Sequence, residues 1–234
     1  MNTKFVIISH GRTGSTVLCH ALNENPQVLC GYELFGSAPQ ASPGAQVDLY
    51  ESGDGYSYLN DFYNRFPEKT VGFKMFTFHG RRTTEERGSW RFFIENPSIK
   101  CVFLGRRNLI NSYFSEKLAA STGNWAERRA ESLSDEKIWV DPLEARNYAY
   151  AIFAEMCWAK TFFCKHDSFS LDYEDLQEDF VSSVNRVEDF LGVNRHSTSL
   201  AFEASLGFRA EQIVGNYDEV IECLDGTIFG TMNR

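Results

Sequence analysis

Two patterns of apolar residues alternate along this chain. Lys4 to Ser9 (KFVIIS), Thr70 to Phe76 (TVGFKMF) and Lys100 to Leu104 (KCVFL) are short, mostly apolar runs, and Ser168 to Leu171 reads as a fourth short strand. Runs of that length, rich in Val, Ile and Phe, are the pattern of strands buried on both faces. Between them the apolar positions recur at helical spacing. Val17, Leu18, Ala21 and Leu22 predict a helix over Ser15 to Asn23, and a second is predicted from about Asn108 to Ala120. Asp141-Pro142 reads as a helix start, with Asp as N-cap and Pro at the first helical position. Tyr148, Ile152, Met156 and Ala159 carry that helix to about Phe163. Phe180 to Leu191 predicts another, ended by Gly192 as a C-cap.

Strands alternating with helices predict an α/β class, with a parallel sheet of four to five strands flanked by helices. A length of 234 residues fits a single domain over 1–234. Two stretches break the pattern: Gly36 to Gly55, rich in Gly, Ser, Pro and Ala, and Ser121 to Val140. Long irregular segments in a compact domain tend to serve function, so acceptor-binding loops are expected over 31–60 and 121–140.

Charge narrows the functions. A net charge of −9 opposes general attraction to nucleic-acid phosphates, so any anion must be held by a local pocket. Basic pairs occur at Arg81-Arg82, Arg106-Arg107 and Arg128-Arg129, and only their setting can make one of them a site. The aromatic share of 15%, with 20 Phe and 10 Tyr, fits either a filled core or an apolar cleft. Cys19, Cys30, Cys101, Cys157, Cys164 and Cys223 form no Cys-x-x-Cys pair and have no His at metal-ligand spacing. They read as reduced thiols, and no metal site is expected. The run Phe5 to Ile8 is too short for a signal peptide, and nothing later reaches the roughly 20 apolar residues of a membrane span. A cytoplasmic protein is expected, with no nucleic-acid partner; nothing bears on its oligomeric state.

The sharpest chemical signal is Ser9-His10-Gly11-Arg12-Thr13-Gly14-Ser15-Thr16, between the first strand and the first helix. Such a loop offers unpaired backbone N–H groups and the positive end of a helix dipole. Gly14 lets an anion approach the backbone, the Ser15 and Thr16 hydroxyls can donate to it, and Arg12 adds a charge-assisted contact. An ordinary strand-to-helix turn is the plain alternative. A nucleotide-triphosphate P-loop would need Lys where Ser15 stands, and an Asp for Mg²⁺ after the third strand. That strand instead runs into Gly105-Arg106-Arg107. Cations there suit a second phosphate group rather than a metal. Ser115 follows eight residues after Arg107, within the next helix, and the two can clamp one phosphate.

These two stretches together resemble the PAPS-dependent sulfotransferases. That family carries a 5′-phosphosulfate loop of the type matched by Arg12 to Thr16, and a 3′-phosphate Arg and Ser matched by Arg107 and Ser115. Leu171-Asp172-Tyr173-Glu174-Asp175-Leu176 with Phe190-Leu191-Gly192, and Ile213 to Thr227, are similar to two further family segments. The pattern is closest to bacterial carbohydrate and glycolipid sulfotransferases of the trehalose- and Nod-factor-modifying type. The resemblance implies a P-loop-like fold and PAPS as co-substrate with PAP as product, no metal being required. It also implies a glycan, glycolipid or other small-molecule acceptor. Arg12 departs from the Lys of many animal members, and the segment after Arg107 is one residue shorter than the bacterial pattern. Arg106 and Arg107 therefore both stand as phosphate contacts.

Sulfuryl transfer needs a base for the acceptor hydroxyl and charge stabilisation at the leaving oxygen. Two bases are candidates: Glu33, an acid just after a short apolar run, and His79, just after the second strand. The resemblance supports Glu33, and a loop carboxylate or a structural imidazole is the plain alternative for each. Lys74, polar within an apolar strand, is either a snorkelling edge residue or a cation aimed at the transferred group. Arg209 and Asn216 are weaker candidates for nucleotide contacts. A kinase-like enzyme without its lysine, or a non-catalytic nucleotide-binding module, are the competing functions.

Overall fold

The computed structural model describes residues 2–35, 54–80, 83–84, 86, 88–123, 137–198 and 210–230. Five strands, β1 (Lys4–Ser9), β2 (Val28–Glu33), β3 (Thr70–Phe76), β4 (Lys100–Gly105) and β5 (Ser168–Asp172), form one sheet in the order β2-β3-β1-β4-β5. All four pairings are parallel. Around it lie α1 (Ser15–Glu24), α2 (Gly55–Asn64), α3 (Ser89–Glu95), α4 (Leu109–Thr122), α5 (Pro142–Phe162), α6 (Tyr173–Glu178), α7 (Phe180–Leu191), α8 (Ala210–Ile213) and α9 (Tyr217–Leu224).

The strand period of two divides β1 between two cores. Phe5 and Ile7 face a cluster with Leu18 and Leu22 of α1 and Val184, Val187 and Leu191 of α7. Val6 and Ile8 face the opposite cluster, with Leu59 and Phe62 of α2, Phe92 of α3 and Phe163. A third cluster joins α4, α5 and α9 through Phe114, Ala149 and Val220. The many Phe and Tyr residues therefore largely fill cores. Phe5 needs the missing side chain of its cross-strand partner Gly72: a Cβ there would stand 2.5 Å from the ring.

The helix ends follow local chemistry. Asp141 accepts from the Leu143 N–H at 2.8 Å ahead of Pro142, and Asp179 accepts from the Ser182 N–H at 3.0 Å. Gly192 closes α7 in the left-handed conformation at φ 79°. β2, α2 and α3 were not expected from the sequence. β2 (VLCGYE) is an edge strand interrupted by Gly and a charge, with an irregular register between Gly31 and Glu33. Glu33 thus ends a strand instead of lying in a free turn, and Lys74 sits in an inner strand, not at an edge. Among the described residues no helix is long and apolar enough to cross a membrane.

Candidate active site

The carboxyl ends of the parallel strands gather the predicted residues at one edge of the sheet. β1 leads through His10 to Gly14 into α1, whose N-cap Gly14 has φ 77° and no side-chain cap. The first-turn N–H groups of a ten-residue helix are therefore turned toward the loop. Arg12 itself holds a positive φ of 63°, rare for a residue with a Cβ. The neighbours that fix it are specific. Thr13 Oγ1 donates to the His10 carbonyl at 3.1 Å, and Ser112 Oγ of α4 donates to the Gly11 carbonyl at 3.1 Å. Arg106 Nη1 donates to the Arg12 carbonyl at 2.8 Å, and Arg12 Nε donates to Ser115 Oγ at 2.8 Å. The loop Arg12, Thr13, Gly14, Ser15, Thr16 and the element Arg106 to Ser115 are thus brought together.

The adjacent arginines diverge. Arg106 lies over the Tyr173 ring at 4.3 Å, and its buried Nε has no partner among the described residues. Burial lowers the pKa of both Arg12 and Arg106, the cost of holding cations out of water. Arg107 is turned outward, 3.3 Å from Asp175 and 3.8 Å from Glu174. The Glu174 carboxylate also accepts the backbone N–H groups of Arg107 and Asn108, at 2.9 and 3.1 Å. The Tyr-Glu-Asp segment therefore supports the arginine turn physically, with one ring under Arg106 and one carboxylate holding the backbone that aims it.

On the other side of β1, Lys74 is almost wholly buried at 4% exposure. Its Nζ donates to Thr16 Oγ1 at 2.7 Å and lies 2.9 Å from Glu33 Oε1. One ammonium thus joins the phosphate loop to the carboxylate on the neighbouring strand. His79 lies in the turn after β3, its ring 5.1 Å from Phe76 and 4.7 Å from Phe78. Its Nδ1 accepts the Phe76 N–H at 3.2 Å, which leaves the ring proton to Nε2.

A cavity of about 300 Å³ opens beside the loop, at the ends of β4 and β5. Its walls include His10, Phe103, Arg106, Lys160, Asp172 and Phe229. Both nitrogens of the buried His10 ring lack a partner among the described residues. Burial, opposed by contact with the Gly11 backbone and helped slightly by nearby Arg106, pulls its pKa down to about 4, so the ring is neutral near pH 7. Asp172 is shifted upward by burial and by the Asp175 and Glu174 charges. Sequence reasoning had given His10 no role; its place in the loop was the available signal.

The Asn216 amide brackets Val140, donating to the carbonyl at 2.8 Å and accepting the N–H at 3.2 Å. Arg209, the pairs Arg81-Arg82 and Arg128-Arg129 and most of the two expected acceptor loops lie outside the described residues. Among the described residues no group of three or more His, Cys, Asp or Glu is arranged to hold a metal ion.

No protein-family model matches the chain. Nodulation protein H of Rhizobium meliloti (strain 1021) is 28% identical over 195 residues, which covers 80% of this chain and 76% of that protein. The crystal structure of a sulfotransferase from Alicyclobacillus acidocaldarius matches with a TM-score of 0.54 over 100% of both chains, at 16% identity. The sulfotransferase domain from the curacin biosynthetic pathway matches with a TM-score of 0.52 at 13% identity, over 91% of this chain and 83% of that one. At those identities the two structures speak to the fold, and the expected P-loop-like sheet agrees with it. Motif order and strand order therefore agree with a sequence likeness to Nodulation protein H and a fold likeness to the two sulfotransferases.

Proposed function

We propose that the protein transfers the sulfuryl group of PAPS to a carbohydrate or glycolipid hydroxyl and releases PAP. The observation that carries this reading is the Lys74 ammonium, shared between Thr16 of the phosphate loop and the Glu33 carboxylate. Donor phosphosulfate on the loop would have its sulfur beside that cation, with a carboxylate on the far side. The acceptor oxygen attacks sulfur, the bond from sulfur to the phosphate oxygen breaks, and the hydroxyl proton passes to Glu33. Lys74, Arg12 and the α1 N-terminus offset the charge that gathers on the departing phosphate.

Several features support PAPS as the nucleotide. Arg106 Nε is buried beside the loop with no partner among the described residues, next to the buried His10 ring, the state of a group that completes its bonding with a ligand. The cavity they share, with Phe103 and Phe229 in its walls, gives the nucleoside a place next to the 5′-phosphosulfate. Arg106, Arg107 and Ser115 serve the 3′-phosphate, Arg106 as the inner contact. We assign His79 to the turn, Asn216 to the Val140 bracket and the whole chain to one catalytic domain. The cytoplasm is its compartment, a reading supported by six free cysteines.

The test is incubation with sulfur-labelled PAPS and a panel of glycan, glycolipid and phenol acceptors without added metal. Label transfer to a saccharide is expected. Preference for Mg-ATP over PAP in calorimetry would overturn the reading.

A further inference from the structure

The turn after β3 carries aromatic surface beside the Lys74–Glu33 pair. Lys74 Nζ lies 5.4 Å from the Phe76 ring centroid, and the Phe76 and Phe78 rings are 5.5 Å apart. Phe78 is 44% exposed, while the His79 ring it meets edge-on is buried. The row continues through Trp90, whose Nε1 donates to the His79 carbonyl at 2.9 Å. Trp90 meets Trp158 of α5 in a T-shaped contact at 4.8 Å, and Trp158 is 38% exposed. Glu155 lies one turn before Trp158 on the same helix and accepts a hydrogen bond from Thr77 Oγ1 in the turn. A row of contacts thus runs from Lys74 to two partly exposed aromatic rings, Phe78 and Trp158, with the Glu155 carboxylate and the Thr77 hydroxyl joined between the turn and α5.

This combination selects a ligand chemistry. Aromatic faces are electron-rich and take the polarised C–H groups of a pyranose ring, while carboxylates accept from its hydroxyls. A phenol has a ring to stack, but its single hydroxyl goes to Glu33 and leaves none for Glu155. An anionic acceptor would meet Glu33 and Glu155 on a chain of net charge −9. A neutral, polyhydroxylated ring satisfies every group in the row.

We propose that Phe78, Trp158 and Glu155 form the acceptor platform and that it binds a neutral saccharide, one hydroxyl of which is delivered to Glu33. This rests on the sulfotransferase reading above. None of the three residues touches the phosphate loop in any described contact, so donor and acceptor binding are separable by experiment.

The protein is first titrated with PAP by calorimetry, and the PAP-loaded protein then with neutral saccharides of one to four rings and with simple phenols. Saccharide binding is expected, and Phe78→Ala and Trp158→Ala should each weaken it roughly three- to tenfold, the worth of one aromatic contact. Phe78→Tyr and Trp158→Phe should restore most of the loss. PAP affinity and the thermal midpoint should stay near those of the parent in all four variants. Failure to bind PAP would sink the sulfotransferase reading itself. Normal PAP binding with no saccharide binding, with phenols bound instead, or with alanine variants that bind saccharide as the parent does, overturns the platform alone.

Discussion

The ammonium of Lys74 stands 2.9 Å from the carboxylate of Glu33, across the pairing of β2 with β3. Parallel register sets Glu33 opposite Lys74, so the contact is built by the backbone ladder and not by a flexible loop. Because Lys74 also reaches Thr16, the acid is tied to the phosphate loop through a single side chain. In the proposed reaction, donor phosphosulfate on that loop would compete for the same ammonium. Its arrival would leave the carboxylate to the acceptor hydroxyl.

Glu33→Gln keeps the shape of the side chain and removes its basicity. Turnover under saturating PAPS should fall about 10²- to 10⁴-fold, with PAP affinity near the parent value. His79→Asn should have the smaller effect, because its Nδ1 is engaged by the Phe76 N–H. A dead His79→Asn beside a nearly normal Glu33→Gln would reverse the two roles.

The two arginines after β4 should separate in a nucleotide titration. Arg106 faces the phosphate loop and Arg107 faces Glu174 and Asp175. Arg106→Ala is expected to cost on the order of 1.5–3 kcal/mol of PAP binding, and Arg107→Ala clearly less. Calorimetry on both variants decides it, with Arg106→Lys as the check that the fold tolerates change there. The opposite ranking would assign the inner phosphate contact to Arg107.

Gly72→Ala tests the packing of the sheet apart from its chemistry. The new Cβ would meet the Phe5 ring at 2.5 Å, and both neighbours are held in inner strands. A loss of roughly 1–3 kcal/mol is expected in urea denaturation. Phe5→Leu in the same chain should recover part of it, since the smaller side chain makes room.

His10 predicts a stability that depends on pH. Its folded pKa of about 4 lies below the ordinary 6.5, so between those values the unfolded chain binds a proton that the folded one does not. Stability from this group is complete above pH 6.5 and falls as the pH drops toward 4. The shift corresponds to about 3 kcal/mol over that window. His10→Gln should remove this part of the acid sensitivity, as read by denaturation midpoints across pH in the nucleotide-free protein. Parallel pH profiles for parent and variant would contradict it.

The inner strands β1, β3 and β4 were legible because burial on both faces writes a mostly apolar run, which in β3 resumes after Gly72 and Lys74. β2 was not, since an edge strand with Gly31 and Glu33 carries no such run. α2 did leave a signal in Tyr58, Leu59, Phe62 and Tyr63 behind the Asp54 cap, but it adjoins the long irregular stretch. The phosphate loop and the Arg106 to Ser115 element could be read as motifs, because each is local in the chain. The Lys74–Glu33 contact and the opposite directions of Arg106 and Arg107 could not. They depend on strand register and on the partners of each side chain, and neither is encoded in local spacing.

The position of β2 at the sheet edge separates the two halves of the reaction in mechanical terms. The phosphate-type loop springs from β1, which is paired on both sides, whereas Glu33 ends a strand paired on one side only among the described residues. Free strand edges and their bulges adjust more cheaply than inner strands. New acceptor preferences can therefore arise through changes in β2 and the turn after β3 while the nucleotide cradle stays as it is. Directed evolution toward other hydroxyl substrates has its natural library there.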